Sequence, residues 1–173
     1  MRGRGEGGAT FVLERVQALP QPVHAVFAFF SDPTNLETIT PTWLRFRIVE
    51  APERLERGSL LRYRLSLFGV PISWRTLIAA WQPPRSFTDI QLSGPYPLWE
   101  HTHRFSPLGD GTEVYDHVRY RVPGGPLAPF LQAKLVGRWL DDIFDYRRER
   151  LARLLGDSAA GEGSSVSKDA SRP

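Results

Sequence analysis

The sequence predicts an α+β fold, in which a curved antiparallel sheet of about six or seven strands wraps around one long C-terminal helix. Three observations support this prediction. Short segments between residues 11 and 122 alternate apolar and polar residues, which is the period of half-buried strands. Two short helical patterns follow the first of these segments. From about residue 127 to residue 155, the apolar spacing changes to the helical period.

The first strand is expected at residues 11–19. Pro22 then suits the first turn of a helix, and Asp32 caps a second short helix that begins at Pro33. Later strands, separated by glycine and proline turns, are expected at 44–49, 60–68, 72–81, 87–92, 98–105 and 113–122. The charged residues of the last helix, Arg147 among them, are expected on its solvated face.

Composition predicts one domain at residues 10–155, with a flexible N-terminus at 1–9 and a disordered Gly/Ser/Ala tail at 156–173. A hydrophobic fraction of 41% is enough to build a core. The chain has no cysteine, which excludes disulfides, thiolate metal sites and cysteine nucleophiles. The lack of disulfides fits a cytoplasmic location, which we expect. No transmembrane segment is expected, because the longest apolar run, residues 23–30, is too short to cross a bilayer.

The net charge is only +3, and acidic residues are interspersed among the arginines. A nucleic-acid-binding surface usually concentrates its positive charge, so no nucleic acid partner is expected. The arginine-rich face, with Arg62 and Arg64 on it, leaves open an acidic protein partner or a membrane surface.

Strand parity assigns side chains to the two faces of the sheet, since neighbouring residues point in opposite directions. Arginines mark the outer face, because burying them unpaired would be costly. Two histidines lie two residues apart on the predicted strand 98–105, so both face inward with Trp99, opposite Arg104. Parity also places five polar residues together inside an apolar shell: Asp89, Gln91, His101, His103 and Asp116.

This polar cluster has three interpretations. In the first, the groups only satisfy one another's hydrogen bonds. In the second, they orient an apolar ligand. The ligand-binding candidates are then Phe46, Tyr63, Trp74, Asp89, Gln91, Trp99, His101, His103, Asp116 and Tyr120. In the third, a histidine beside a carboxylate moves protons, and a tyrosine donates to a developing oxyanion. The catalytic candidates are His101, His103 and Asp116.

The histidine pair, with Asp116 or Asp89 as a third ligand, is also a donor set for a divalent metal. A His-x-His pair is a weak signal by itself. The sequence therefore predicts neither a metal site nor a cofactor.

Three segments resemble the START-like (SRPBCC) superfamily, and in particular its polyketide cyclase/dehydrase-like ligand-binding branch. They are Val-Phe-Ala-Phe-Phe-Ser-Asp-Pro-Thr-Asn-Leu at 26–36, Gly-Pro-Tyr-Pro-Leu-Trp-Glu-His-Thr-His-Arg-Phe at 94–105, and the terminal amphipathic helix. The resemblance implies a helix-grip fold with a hydrophobic cavity between the sheet and the last helix. Members of the superfamily bind lipids, polyketides or quinones, and some are enzymes.

The leading functional hypothesis is therefore the binding of a small hydrophobic or aromatic metabolite in an internal cavity. One alternative is a cyclase or dehydratase that uses the inner histidines and aspartates as acid and base. The other is an interaction or adaptor protein that uses its outer face. The sequence leaves open whether the protein is an enzyme.

Overall fold

A single seven-stranded antiparallel sheet forms the body of the protein. It is seen in a computed structural model, which describes residues 8–156. The strands are β1 (Thr10–Leu19), β2 (Arg47–Glu50), β3 (Leu60–Leu67), β4 (Val70–Gln82), β5 (Ser86–Ser93), β6 (Leu98–Leu108) and β7 (Gly111–Arg121). The predicted flexible N-terminus at 1–9 and the predicted tail at 156–173 lie almost entirely outside the described residues.

The order of the strands across the sheet is β1-β7-β6-β5-β4-β3-β2. From β2 to β7, strands adjacent in sequence are adjacent in space, and β1 pairs with the last strand. The turn that enters β7 requires glycine, because a Cβ at Gly111 would lie 2.3 Å from the carbonyl oxygen of Leu19. Cα partners between β6 and β7 include His103 with Asp116, which fixes both side chains on the same face.

Helices cover the concave side of this sheet. Two short helices, α1 (Val23–Ser31) and α2 (Thr34–Thr38), follow β1, and the chain ends in α3 (Ala128–Leu131) and the long α4 (Gly137–Gly156). Helix α2 starts at Thr34, one residue later than predicted, so Pro33 rather than Asp32 holds the N-cap position. Asp32 Oδ1 still accepts a hydrogen bond of 2.9 Å from the backbone N–H of Thr34 in the first turn. The predicted α+β fold, a curved antiparallel sheet around a long C-terminal helix, is confirmed.

Two apolar clusters pack between the sheet and the helices. In the first, Leu151 of α4 packs with Phe30 of α1. In the second, Phe144 of α4 packs with Trp74 of β4. No helix within residues 8–156 combines the length and the apolar character needed to span a bilayer.

The prediction of a strand at 44–49 was wrong in its first half. Residues Thr42–Leu44 form a 3₁₀ turn that begins after Pro41, and Arg45 adopts a left-handed conformation with φ of 47°. Strand β2 therefore starts only at Arg47. The predicted inward direction of Phe46 still holds, since its side chain is buried.

The prediction of one uninterrupted helix at 127–155 also needs a correction. A π-helical segment, Gln132–Val136, separates α3 from α4. A π turn contains one more residue than an α-helical turn, so the side chains that precede it are rotated about the helix axis relative to those of α4. Leu135 falls at helical spacing from Leu131 and Trp139, which predicts an inward position on one uninterrupted helix. Because of the π segment it is instead 44% exposed.

Candidate ligand-binding site

A cavity of about 170 Å³ lies between the inner face of the sheet and the covering helices. Strands β3 to β6 contribute one side, and α1, α2 and α4 contribute the other. Its aromatic lining includes Phe46, Tyr63, Trp74, Tyr96, Trp99 and Trp139. Helix α4 adds Leu140, Ile143 and Phe144.

Pairing between β3 and β4 organises the aromatic side of the cavity. Tyr63 is the direct partner of Trp74 in this pairing, and their rings stack at 5.8 Å between centroids with an interplanar angle of 23°. Phe46 lies 4.8 Å from Tyr63. Trp99 of β6 meets Trp74 edge to face at 5.4 Å. Such offset and edge contacts give a rigid apolar wall.

Two polar groups interrupt this wall. The hydroxyl of Tyr63 lies 3.1 Å from Thr76 Oγ1, within hydrogen-bond distance. Burial, with a smaller contribution from Asp89, raises the pKa of Tyr63 far above its ordinary value, so the phenol stays protonated near neutral pH. The indole N–H of Trp74 has no hydrogen-bond partner among the described residues, although it is fully buried.

A cluster of two histidines and two aspartates extends from the cavity into the sheet. His101 Nε2 lies 2.9 Å from Asp116 Oδ1, and His103 Nδ1 lies 2.7 Å from the same oxygen. The His103 contact is out of line for a good hydrogen bond. The opposite nitrogens face Asp89 Oδ2, at 3.8 Å for His101 Nδ1 and 3.5 Å for His103 Nε2. The two imidazoles are thus held between two carboxylates.

The surroundings shift the pKa values of the two histidines in opposite directions. Burial and the neighbouring His103 lower the pKa of His101. Burial also opposes the charge on His103, but its interactions with Asp116 and Asp89 outweigh that effect and raise the pKa of His103. Burial disfavours the charged form of Asp116, yet the two histidines hold its pKa far below the ordinary value.

The structure brings most of the predicted site residues to the cavity. Seven of the ten ligand-binding candidates line it: Phe46, Tyr63, Trp74, Asp89, Trp99, His101 and His103. Asp116 lies behind the histidines, and Tyr120 accepts a hydrogen bond of 2.6 Å from Gln132 Nε2. Gln91 does not join the cluster. Its side chain instead bonds to the backbone of Tyr96 and closes the turn between β5 and β6.

Sequence reasoning missed several residues that line the cavity. Thr76 shares the inner face of β4 with Trp74, so strand parity could have identified it. Tyr96 lies in the turn before β6, where no periodicity assigns a direction. Arg147 was expected on the solvated face of the last helix. It is instead half-buried and lines the cavity, with its guanidinium carbon 5.2 Å from the ring centroid of Phe144.

Comparison with known proteins places this architecture in a family. The profile of the family described as polyketide cyclase / dehydrase and lipid transport matches residues 10–156. The chain belongs to this family. The match and the fold confirm the resemblance to the START-like superfamily that the sequence motifs indicated.

Solved structures share the fold of this polyketide cyclase / dehydrase family member at low sequence identity. Protein Ms6760 from Mycobacterium smegmatis is 17% identical, with a TM-score of 0.64 over 85% of this chain and 92% of that one. TTHA0849 from Thermus thermophilus is 19% identical, with a TM-score of 0.63 over 84% and 99%. Major latex-like protein 151 from Panax ginseng is 15% identical, with a TM-score of 0.64 over 86% and 99%. No curated protein matches the chain.

Proposed function

We propose that the protein binds a small hydrophobic or aromatic metabolite, of the lipid, polyketide or quinone-like class, in the cavity between the sheet and α4. The observation that carries this proposal is a buried donor without a partner, the indole N–H of Trp74, within a predominantly aromatic lining. Ligand sites typically combine apolar walls with a few polar groups that fix orientation. Membership of a family described by polyketide and lipid chemistry supports the same class of ligand.

The size of the cavity narrows the choice within that class. An engineered cavity of about 150 Å³ accommodates benzene, so ≈ 170 Å³ suits a compact ligand of one or two rings better than a long acyl chain. Both Tyr63 and Trp74 line the cavity, so an aromatic ligand would contact aromatic side chains there. A quinone or an aromatic ketone therefore suits the cavity better than an extended lipid.

The polar groups indicate where an oxygen of the ligand would lie. A buried donor without a partner costs about 1–3 kcal/mol, and a ligand carbonyl would remove that penalty by accepting from Trp74 Nε1. The phenol of Tyr63, which stays protonated, is a second group able to donate to an oxygen. A ligand with at least one carbonyl oxygen is accordingly expected to bind more tightly than the parent hydrocarbon.

Native mass spectrometry of the purified protein, followed by denaturing extraction, is the direct test of this proposal. A copurifying molecule of one or two rings, released on denaturation, is the expected result. Two results together would contradict the proposal: the mass of the chain with nothing bound, and no response when the protein is titrated with 1,4-naphthoquinone.

The titration uses 1,4-naphthoquinone as a probe and follows tryptophan fluorescence and thermal stability. The chain has no cysteine that could add to the quinone. A ligand at a hundredfold excess over its dissociation constant stabilises the folded state by about 2.7 kcal/mol. Ile143→Trp fills the cavity from α4 and should abolish the shift, whereas Leu135→Trp, at an exposed helical position outside the cavity, should preserve it. Equal binding of 1,4-naphthoquinone by Ile143→Trp and Leu135→Trp would mean that the probe binds outside the cavity.

A further inference from the structure

We propose that Asp89, His101 and His103 bind one divalent first-row metal ion of the zinc class, with Asp116 as the outer carboxylate that orients both imidazoles. The sequence predicted no metal, because a His-x-His pair alone is a weak signal. The strand register supplies what the pair lacked, namely a third donor and a supporting carboxylate. The metal by itself is the probe, so this inference does not depend on the proposed organic ligand.

The donor atoms have spacings close to those that a small cation requires. Asp89 Oδ2 lies 3.8 Å from His101 Nδ1 and 3.5 Å from His103 Nε2, and the three donors lie within 4.8 Å of one another. Bonds of about 2.0–2.2 Å to a tetrahedral zinc ion place neighbouring donors about 3.3 Å apart. The two spacings to Asp89 exceed this value by only about 0.2 and 0.5 Å, whereas the spacing between the two histidine nitrogens, bounded at 4.8 Å, would shorten by rotation of the rings around the ion.

Asp116 has the position of the supporting carboxylate found in metal sites. Histidine ligands usually donate their second ring N–H to a carboxylate or carbonyl, which fixes the tautomer and the ring orientation. Here one oxygen of Asp116 is hydrogen-bonded to His101 Nε2 at 2.9 Å. His103 Nδ1 lies 2.7 Å from the same oxygen, and a rotation of its ring would bring this contact into line. With protons on those two nitrogens, both opposite nitrogens present lone pairs toward Asp89.

The charges of the cluster favour a divalent cation. Two carboxylates surround two imidazoles at side-chain exposures of 16% for Asp89 and 9% for Asp116. Within residues 8–156, neither carboxylate has an arginine or lysine in ion-pair contact. If both carboxylates stay ionised, neutralisation by protons needs two adjacent imidazolium rings with centroids 3.8 Å apart, whereas one divalent ion balances both carboxylates beside neutral histidines.

The donor set defines the kind of metal. Imidazole nitrogens suit zinc, copper, nickel and iron, whereas magnesium and calcium prefer oxygen ligands throughout. Two nitrogens and one oxygen leave a fourth coordination position. Since Asp89, His101 and His103 all line the cavity, that position is open to a water molecule within it.

The test uses the full chain without an affinity tag, stripped with EDTA and dialysed. Zn²⁺ is titrated by calorimetry, and Co²⁺ is added separately, because a tetrahedral cobalt site absorbs visible light strongly. We expect one ion per chain, and a higher melting temperature with Zn²⁺. Asp89→Asn is a nearly isosteric change at the edge of the cluster, and it should abolish both the calorimetric binding of Zn²⁺ and the visible absorption of Co²⁺. Asp116→Asn should weaken Zn²⁺ binding about 10–100-fold.

The chain contains four histidines and no cysteine, so the two histidines outside the cluster provide matched controls for metal binding. His24→Gln, at an exposed position on α1, and His117→Gln, on the opposite face of β7 from Asp116, should both keep full binding. The absence of stoichiometric Zn²⁺ binding by the wild-type chain would overturn the proposal. Binding that survives in Asp89→Asn, or that disappears in either control, would overturn it equally. Circular dichroism shows whether each variant is folded. If Asp116→Asn fails to fold, the test of the metal site rests on Asp89→Asn.

Discussion

The carboxylate of Asp116 on β7 lies 2.9 Å from the imidazole of His101 on β6, with both side chains buried beneath the helical layer. The two residues are not direct partners in the register, because His101 pairs with Val118 and Asp116 pairs with His103. Asp116 therefore reaches diagonally, and one carboxylate contacts both histidines. This arrangement makes Asp116 the residue on which the whole cluster depends.

Replacing Asp116 by alanine is expected to lower the free energy of unfolding by about 3–5 kcal/mol, because it leaves the buried imidazoles of His101 and His103 without the carboxylate that they contact. Urea denaturation in the presence of EDTA measures this effect without a contribution from bound metal. Asp141→Ala is the matched control. Asp141 forms an ion pair with Arg15 at the surface, where such pairs contribute about 0–1 kcal/mol. Equal losses in the two variants would contradict the structural role of the cluster.

Strand parity predicted the inner face of β6 and β7 well, because a buried face and an arginine-bearing face alternate there without a register shift. In β7, Val114, Asp116 and Val118 are all buried, as the period of two requires. In β6, His101 and His103 are buried for the same reason. No register shift between β6 and β7 reverses the faces, so the histidines and Asp116 meet as expected.

Parity failed where the contacts of a side chain depend on the loop beside it. Gln91 has the parity of Asp89, but it lies near the end of β5 and turns to the backbone of Tyr96 in the following turn. The π segment at Gln132–Val136 was equally beyond reach, because helical periodicity assumes a constant number of residues per turn. A periodic pattern carries no information about either feature.

The π segment leads to a prediction about Gly137, the first residue of α4. Alanine usually stabilises a helix by about 1 kcal/mol relative to glycine. At Gly137, however, a Cβ would lie 3.0 Å from both the carbonyl oxygen and the side-chain nitrogen of Gln132. Gln132 would have to move, which would weaken its hydrogen bond to Tyr120. We therefore expect Gly137→Ala to lower the melting temperature.

The control for this substitution is Gly156→Ala at the other end of α4. A Cβ there meets no atom of residues 8–156 within 4 Å, so no steric loss against this part of the chain is expected. A gain in melting temperature for Gly137→Ala, equal to or above that of Gly156→Ala, would show that the π segment tolerates a side chain at this position.

Trp74→Phe tests the unpartnered indole separately from the cavity as a whole. The substitution removes the N–H but keeps an aromatic ring, so binding of 1,4-naphthoquinone should weaken about 2- to 10-fold, the worth of one hydrogen bond. Binding of naphthalene, which has no acceptor, should change less. Trp43→Phe, at an exposed position outside the cavity, serves as the control. Equal weakening for both probes would attribute the effect to packing rather than to the hydrogen bond.

Alkaline pH provides a test of how Tyr63 is held. Burial raises the pKa of Tyr63, Asp89 raises it further, and the hydrogen bond between Tyr63 and Thr76 together with Arg147 offsets only part of the change. An unfolded tyrosine loses its proton near pH 10, whereas folded Tyr63 keeps it, so the unfolded state binds fewer protons above that pH. Stability from Tyr63 is therefore complete below about pH 10 and falls by about 1.4 kcal/mol per pH unit above it.

Urea denaturation of the wild-type protein and of Tyr63→Phe between about pH 8 and pH 11 measures this contribution. Near pH 8 the variant should be less stable by about 0.5–1.5 kcal/mol, because it loses the hydrogen bond to Thr76. Above about pH 10 the difference should shrink and then reverse, since phenylalanine has no proton to lose in the unfolded state. Parallel curves at every pH would mean that the phenol of Tyr63 ionises as readily in the folded protein as in the unfolded chain, and that the cavity around it is open to water.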